Sequence, residues 1–403
     1  MNKGKNTAKG ITLIALVITI IVMLILVGVT ISMALNGGLF GYAKKAARDT
    51  ESQKQAEQEL ASGAVTIDGV KYDSMQDYMN GFPSGTPKAK PIDEVEKTEK
   101  GILKENGAYA SDGKTAIIPK GFKIIADEIG EKSIAKGLII TDEVDSTGKS
   151  TGNEYVWVPV EDGTLDRTDW KNNGMISQYT DVLPEDLANS VEINKGFYIG
   201  RYEAGSEEVR SNSTKDTLTE VFTKEGLYVY NYVSYDNAVS KIGELYTDKT
   251  KYGAGAIMPC GAMWDETLNF VNDSSHNVTD STNWGNYLDA TFEFTGEYCE
   301  NPEEEVPIYT RGTNAEKPAD KRYLLTTGAS EKNKAKNIYD LAGNVDEWTG
   351  ELSIGSFTVQ NFRGGDCGFY GQKGVNKASD RQGLGYENYS SVFIGFRPAL
   401  YIK

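Results

Sequence analysis

The residues that most often carry metal-bound or nucleophilic chemistry are scarce in this sequence. Its cysteines are Cys260, Cys299 and Cys367, and its single histidine is His276. An odd number of cysteines cannot pair completely within one chain, and no Cys-x-x-Cys motif occurs. A structural zinc site built from Cys and His ligands is therefore not expected. Acid–base catalysis by histidine would depend on His276 alone.

The charge and composition indicate a protein with an acidic exterior that binds through aromatic residues. The chain has 403 residues and a net charge of −16, which argues against nucleic acid as a partner. It contains 23 Tyr and 5 Trp. These side chains suit a recognition surface, because they are amphipathic and lose little entropy when fixed. The alternative is that they fill the core of a loop-rich fold.

The N-terminus reads as a membrane anchor. Lys3, Lys5 and Lys9 precede an uncharged apolar run from Ile11 to Leu35. As a helix this run would extend about 37 Å, which is enough to span a bilayer with some tilt. Positive charge before the run places the N-terminus in the cytoplasm. We therefore predict a single-pass protein of the bacterial cell membrane, with its globular part outside the cell.

The order Lys-Gly-Ile-Thr-Leu-Ile around Gly10 resembles the leader of type IV prepilins and pseudopilins. The resemblance implies a leader over residues 1–10, a transmembrane helix over 11–35, and a prepilin peptidase that cuts between Gly10 and Ile11. Ala15 departs from the family, which usually has Glu at this fifth mature position. Because that Glu helps register subunits in a filament, the departure weakens the case for polymerisation and leaves the anchor unaffected.

Two further segments separate the membrane from the globular part. Residues 36–80 contain strong helix formers, notably over 43–61, and predict a helical stalk. Residues 81–104 contain Pro83, Pro87 and Pro91 and predict a semi-extended linker, because proline opposes both helix and sheet. The globular domain is then expected over residues 105–403.

The patterns within that domain predict an α+β fold with many long loops. Alternating or continuous apolar runs predict strands at 117–124, 138–141, 155–160 and 197–202. Helical spacing predicts helices at 233–245 and 260–271, the second with Trp264, Leu268 and Val271 on one side. Long stretches rich in Gly, Asn, Ser and Asp separate these elements. Ordered loops of this length tend to be functional.

Five segments in this order resemble the formylglycine-generating-enzyme (sulfatase-modifying-factor) domain. They are Tyr-Val-Trp-Val-Pro-Val at 155–160, Lys-Gly-Phe-Tyr-Ile-Gly-Arg-Tyr-Glu-Ala-Gly at 195–205, Met-Pro-Cys-Gly-Ala-Met-Trp-Asp-Glu-Thr-Leu-Asn-Phe-Val at 258–271, Asn-Ile-Tyr-Asp-Leu-Ala-Gly-Asn-Val-Asp-Glu-Trp-Thr at 337–349, and the pair Phe-Arg-Gly-Gly at 362–365 and Gly-Phe-Arg-Pro at 395–398. The resemblance covers roughly residues 110–403 and implies a variant of the C-type lectin fold. Most of these residues have a structural interpretation. Trp157 and Trp348 would fill the core, Gly365 would allow a tight turn, and Arg363 and Arg397 would hold loops by several hydrogen bonds.

The same resemblance bears on metals and catalysis. In the family the Gly-Asn-x-x-Glu segment can hold calcium, which would make Asn344 and Glu347 ligands; a hydrogen-bonded turn is the alternative. The oxidising members bind copper through two cysteines after Arg-Gly-Gly, whereas only Cys367 follows Arg363 here. No cofactor is then required, with Ca²⁺ as the one candidate, and the chain is expected not to be an enzyme.

The stretch 366–394 lies between the Arg-Gly-Gly and Gly-Phe-Arg segments and mixes aromatics with small polar residues. This composition is typical of adaptable binding loops. The stretch also resembles the variable region of proteins diversified by retroelements, many of which share this fold. The alternative is that it is simply the loop-rich end of the fold. We predict that ligand binding uses the following residues of the stretch: Asp366, Cys367, Phe369, Tyr370, Asp380, Leu384, Tyr386, Asn388, Tyr389 and Phe393. Trp284 and Tyr287 are expected to extend this face.

The sequence therefore predicts a non-catalytic cell-surface display protein, of the adhesin or receptor type, with a diversified C-terminal binding face. Its ligand would be a protein or glycan on another cell or on a phage. The first alternative is a minor pilin or pseudopilin with a globular head. The second is an oxidase like the formylglycine-generating enzymes.

Overall fold

The computed structural model describes most of the chain after residue 88. The described residues are 89–170, 175–354, 359–371, 376–385 and 388–403, with separate positions between 63 and 78. The chain divides into two compact units, Met1–Tyr78 and Met79–Lys403. The predicted leader, transmembrane helix and prepilin peptidase site at Gly10 and Ile11 lie outside the described residues. No helix among the described residues is both long and apolar enough to cross a membrane.

The described part of the chain combines short strands with few helices. The strands of its first half are β1 (Val65–Ile67), β2 (Val70–Tyr72), β3 (Lys90–Pro91), β4 (Gly107–Ser111), β5 (Lys114–Ile118), β6 (Lys123–Ile125), β7 (Ile139–Thr141), β8 (Glu154–Pro159), β9 (Tyr179–Thr180), β10 (Gly196–Gly200), β11 (Gly205–Ser206) and β12 (Tyr228–Val229). The later strands are β13 (Ala254–Ile257), β14 (Phe292–Cys299), β15 (Thr310–Lys317), β16 (Leu324–Leu325), β17 (Lys334–Ala335), β18 (Ile338–Tyr339), β19 (Asp346–Ser353), β20 (Val359–Arg363), β21 (Gln382–Gly385), β22 (Ile394–Gly395) and β23 (Ala399–Ile402). The α-helices are α1 (Glu185–Asn194), α2 (Tyr235–Gly243) and α3 (Gly261–Val271), and short 3₁₀ helices lie at Ile92–Glu94, Ile176–Gln178 and Glu331–Asn333.

A six-stranded antiparallel sheet, in the order β13-β23-β10-β8-β7-β6, forms the centre of the second unit. Successive side chains of a strand point to opposite faces. In β8, Val156 and Val158 join one apolar cluster, whereas Tyr155 and Trp157 join another. Both faces of this sheet are therefore covered, which explains why its strands read as nearly continuous apolar runs.

Helix α3 confirms the helix that the apolar spacing predicted. Trp264, Leu268 and Val271 are all buried in the cluster that covers one face of the central sheet. Helix α2 also falls within its predicted range, and the Ser234 side chain accepts a hydrogen bond from the amide of Asn237 at its start. Helix α1 was not predicted, because its sequence is mostly polar and little of it is buried.

A second sheet carries the C-terminal motifs. Its order is β21-β20-β19-β22, with β9 also paired to β19. Strand β20 ends at Arg363 and pairs antiparallel with β19, and β22 pairs parallel with β19. The segment between β20 and β22 is therefore tied to one strand, β19, at both ends. This is the segment of residues 366–394.

Two of the sequence-based boundaries differ from the structure. Residues 65–72 contain the hairpin β1–β2, so the stalk predicted over 36–80 is not helical throughout. Strand β3 pairs with β4, and Val95 and Leu103 are buried. The described end of the segment predicted as a linker, residues 89–104, is therefore packed into the globular unit. Pro91 can lie in strand β3 because this strand is only two residues long.

Candidate binding face

One end of the candidate segment is held by a buried ion pair. Arg397 contacts the carboxylate of Glu347 through Nη2–Oε1 at 2.6 Å and Nε–Oε2 at 3.0 Å. Its guanidinium also donates to the carbonyl oxygens of Gly200 at 3.0 Å and Tyr339 at 2.9 Å. All of these contacts are buried. A planar cation with five N–H donors suits this arrangement, because it joins three separate chain segments at once.

The other end is held by a second buried network, in which two arginines share two carboxylates. Arg363 Nη2 donates to Asp265 Oδ1 at 2.8 Å, and Arg381 Nε donates to Glu351 Oε1 at 2.9 Å. Arg381 also pairs with Asp265, whose Oδ1 accepts from the Trp170 indole at 2.9 Å. Arg381 and Asp265 were not among the residues predicted from the sequence. The one available signal was an acidic residue on the apolar side of α3.

A glycine turn leads from this network into the exposed part of the segment. Gly365 has φ of +78°, and a Cβ there would lie 2.0 Å from the carbonyl oxygen of Asn376. Only glycine fits such a site. Beyond it, Asp366 Oδ1 accepts from the amide of Gly368 at 2.6 Å, and Leu288 donates its amide to the Phe369 carbonyl at 2.7 Å. The turn is therefore fixed by the backbone before the first aromatic side chain appears.

Phe369 and Tyr370 follow this turn, and the Phe393 ring lies 3.7 Å from the place that a Cβ on Gly368 would take; we call Phe369, Tyr370 and Phe393 the aromatic face. Phe369 is 60% exposed and Tyr370 is 39% exposed. Phe393 is partly buried, and the Arg322 guanidinium lies 4.9 Å from its ring centre. The Tyr370 hydroxyl lies 3.4 Å from Asp320 Oδ1. Aromatic rings that are held in place and open to solvent can make large contacts at low entropic cost.

The other predicted binding residues divide into exposed and buried sets. Asn388 is exposed, and Tyr389 is 44% exposed. Asp366, Cys367 and Asp380 are buried, so their side chains do not reach a ligand at the surface. The prediction is corrected at these three positions: Asp366 and Cys367 directly follow the Gly365 turn, and Asp380 Oδ2 accepts from the amide of Lys377 at 3.1 Å. The backbone of Leu384 belongs to β21. Its side chain, and the whole of Tyr386, lie outside the part of the chain that the structure describes.

The two residues expected to extend the face are also buried. Trp284 and Tyr287 belong to the apolar cluster around α3. The Tyr287 hydroxyl donates to the carbonyl oxygen of Gly364 at 2.9 Å. These rings therefore pack beneath the turn and support it.

A pair of buried carboxyl groups lies directly under the turn. Asp366 and Asp346 are both buried, and they lie close enough for each to affect the ionisation of the other. Burial raises the pKa of Asp366 to about 6, and burial together with Asp366 raises the pKa of Asp346 well above its ordinary value. Two adjacent carboxyl groups in an apolar site hold a proton between them. Asp346 Oδ1 also accepts from the amide of Gly365 at 3.0 Å, which connects this pair to the turn.

The surroundings of Asn344 and Glu347 do not fit a calcium ion. The two carboxylate oxygens of Glu347 accept from Arg397, a cation that occupies the place of a metal. The Asn344 Oδ1 atom accepts from the amide of Leu325 at 3.0 Å and from the Asn286 side chain at 2.9 Å. Among the described residues no group of three or more His, Cys, Asp and Glu side chains is arranged to hold a metal. Glu347 is therefore held by Arg397, and not by the backbone amides that it would cap in the alternative turn; calcium binding itself stays a prediction.

The cysteines are all buried and free. Burial raises the pKa of the Cys367 thiol well above its ordinary value, and it raises the pKa of Cys260 as well. A metal-binding or nucleophilic cysteine needs the thiolate form. Cys367 instead packs with Tyr232, Leu324 and Val345 as a small apolar residue.

Comparisons with known proteins do not assign a family. No protein-family model and no curated protein matches the chain, so the resemblance to formylglycine-generating enzymes stays a prediction. Among solved structures, the crystal structure of CarF matches with 15% identity and a TM-score of 0.29, over 62% of this chain and 98% of that chain. The P3c and I1 variants of Major Tropism Determinant each match with 12% identity over 86% of this chain and 98% of theirs, with TM-scores of 0.28 and 0.26. At TM-scores this low, the likenesses support no conclusion about fold or function.

Proposed function

We propose that this chain is a non-catalytic ligand-binding protein of the bacterial cell surface, and that it contacts its ligand through the aromatic face. The ligand would be a protein or glycan on another cell or on a phage. The anchoring helix at residues 11–35 would hold the protein in the membrane after a prepilin peptidase has acted at Gly10. The segment 366–394 would be the diversified part of the binding surface.

The observation that carries this proposal is the contrast between buried supports and exposed rings within one short segment. Arg363, Gly365 and Arg397 are buried, whereas Phe369 between them is 60% exposed. Phe369 and Tyr370 are consecutive and both exposed, and neighbouring exposed apolar side chains are typical of an interaction site. Rigid supports also reduce the entropy lost when the rings bind, which is how a pre-organised site gains affinity.

The surroundings of Cys367 support a binding role over oxidase chemistry. Its thiol is buried, and its raised pKa keeps it protonated. Copper(I) prefers thiolate ligands. Copper binding by the purified chain that is lost in Cys367→Ala would contradict the non-catalytic role.

The proposal can be tested with the labelled full chain in detergent. Binding would be measured by flow cytometry on whole bacterial cells, by pull-down on phage particles, and on a glycan array. We expect Phe369→Ala/Tyr370→Ala to weaken the best binding at least about tenfold, because central aromatic contacts are each worth about 2 kcal/mol or more.

Ile129→Ala provides the matched control, since Ile129 is a large apolar residue that is 75% exposed elsewhere on the chain. It should bind as the unchanged chain does. The proposal would be overturned if the double variant bound as tightly as the control, or if none of the three probe sets bound the unchanged chain.

A further inference from the structure

We infer that the loop of residues 300–309 forms a second half of the binding surface, and that this half takes a peptide segment with apolar side chains flanked by lysine or arginine. The inference rests on the proposed function and adds the chemistry of the partner. The loop joins β14 to β15 and lies outside the segment 366–394.

The first observation is an exposed apolar pair at the tip of this loop. Val306 is 73% exposed and Ile308 is 72% exposed, which is more than Phe369. Apolar side chains gain free energy when a partner removes them from water, at about 25 cal/mol per Å² of buried area. Pro307 stands between them and restricts the backbone, so the pair is presented with little freedom to lose.

The second observation is that both ends of the loop are fixed. The Tyr232 hydroxyl donates to the Pro302 carbonyl at 3.4 Å, and the Tyr309 ring packs against Tyr228 with ring centres 4.7 Å apart. A turn is closed by the amide of Glu304 and the carbonyl of Asn301 at 3.2 Å. The loop is therefore held against the body of the protein while its apolar tip remains in solvent.

The third observation is that the loop adjoins the aromatic face. Glu303 pairs with Arg322 at 3.3 Å, and the same guanidinium lies 4.9 Å from the Phe393 ring centre. A Cβ placed on Gly368 would lie 3.4 Å from Arg322 Nε. Arg322 therefore contacts the loop at Glu303 and also lies beside Phe393 and Gly368, next to the aromatic face.

The charge around the loop decides which partner it fits. Glu300, Glu303, Glu304 and Glu305 are all exposed. An apolar tip ringed by carboxylates repels an acidic surface and attracts a basic one. A second copy of this chain, which carries a net charge of −16 and the same acidic loop, is a poor match. An anionic lipid or nucleic acid surface is excluded by the same repulsion.

The test uses a random 12-residue peptide library on phage, selected against the full chain. Selected peptides would be measured against Val306→Ser/Ile308→Ser, against Glu304→Gln/Glu305→Gln, and against the control Ile129→Ser. Because Val306, Ile308 and Ile129 are exposed to similar extents, the melting temperatures of the variants should match that of the unchanged chain.

We expect the selected peptides to combine apolar residues with Lys or Arg. Their affinity should fall at least tenfold on Val306→Ser/Ile308→Ser, and several-fold on the Gln variant with a weaker dependence on salt. The inference is overturned if no peptide is enriched, if the enriched peptides lack basic residues, or if the loop variants bind them as the control does. If the peptides lose affinity in Phe369→Ala but not in the loop variants, this inference alone is overturned. If binding to cells, phage and glycans is unchanged in Phe369→Ala/Tyr370→Ala, the proposed function is overturned.

Discussion

The buried supports and the exposed aromatic face of the segment 366–394 place their side chains in opposite environments. The supports, centred on Arg363 and Arg397, place charged groups in the interior and satisfy them with carboxylates and carbonyl oxygens. The aromatic face exposes apolar rings to solvent, and these rings contribute free energy only when a partner covers them. We therefore expect the supports to control the stability of the fold and the aromatic face to control binding. Substitutions in the two regions should therefore separate stability from binding.

Breaking the Arg397 support should have the largest effect. Arg397→Ala leaves Glu347 charged and buried without its cation, and the loss of one partner from a buried pair costs about 3–5 kcal/mol. Urea denaturation of the full chain would measure this free energy of unfolding. Arg322→Ala is the matched control, because its pair with Glu303 is partly exposed and worth less than about 1 kcal/mol. Equal losses in the two variants would contradict the assignment of Arg397 as a support.

Gly365→Ala, a substitution in the turn, should have the second-largest effect on stability. Gly365→Ala would force the left-handed backbone on alanine and also bring Cβ to 2.0 Å from the Asn376 carbonyl oxygen. Strain of these two kinds together costs about 2–4 kcal/mol. Gly113→Ala has similar φ but open space around its Cβ, so it isolates the backbone strain. Thermal unfolding should show a clearly larger loss for Gly365→Ala, and a result in which the two variants match would mean that the turn can relax.

The buried carboxyl pair should make stability depend on pH. The pKa of Asp366 is about 6 in the folded chain, against 3.8 as its ordinary value. A raised pKa gives stabilisation that is full below pH 3.8 and is lost as the pH rises through about 6. Asp366→Asn should therefore remove about 1 kcal/mol of the gain in stability that the unchanged chain shows between pH 7.5 and pH 5.

Asp248→Asn is the control for this pH experiment. The pKa of Asp248 is lowered by its hydrogen bonds to Thr250, so the group titrates below the pH window. Its substitution should leave the difference between pH 7.5 and pH 5 unchanged. If Asp366→Asn behaved in the same way, Asp366 would not be the group that takes up the proton.

The aromatic face should show the smallest effect on stability. Phe369→Ala removes a ring that is 60% exposed, and substitutions at exposed positions usually change the free energy of unfolding by less than about 0.5 kcal/mol. Urea denaturation would measure this, beside the loss of binding expected above. A loss of stability as large as that of Arg397→Ala would make Phe369 a core residue.

The sequence was sufficient for the parts of the fold that depend on local pattern. The spacing of Trp264, Leu268 and Val271 predicted α3, and the Arg363 and Arg397 motifs were correctly expected to hold loops. The inward direction of Asp366, Cys367 and Asp380 was not predictable. It depends on the turn at Gly365 and on contacts with distant segments, which composition does not reveal. The role of Arg381 was hidden for the same reason, because Asp265 lies 116 positions earlier in the chain.

The most direct test of the central claim is deep sequencing of the gene across a population of the source bacterium. The account predicts that substitutions concentrate in the codons of the exposed residues Phe369, Tyr370 and Tyr389, while the codons of Arg363 and Arg397 stay constant. That result would establish a varied binding face on fixed supports. If these exposed codons vary no more than those for residues 155–160 of the central sheet, the claim of a diversified binding face is wrong.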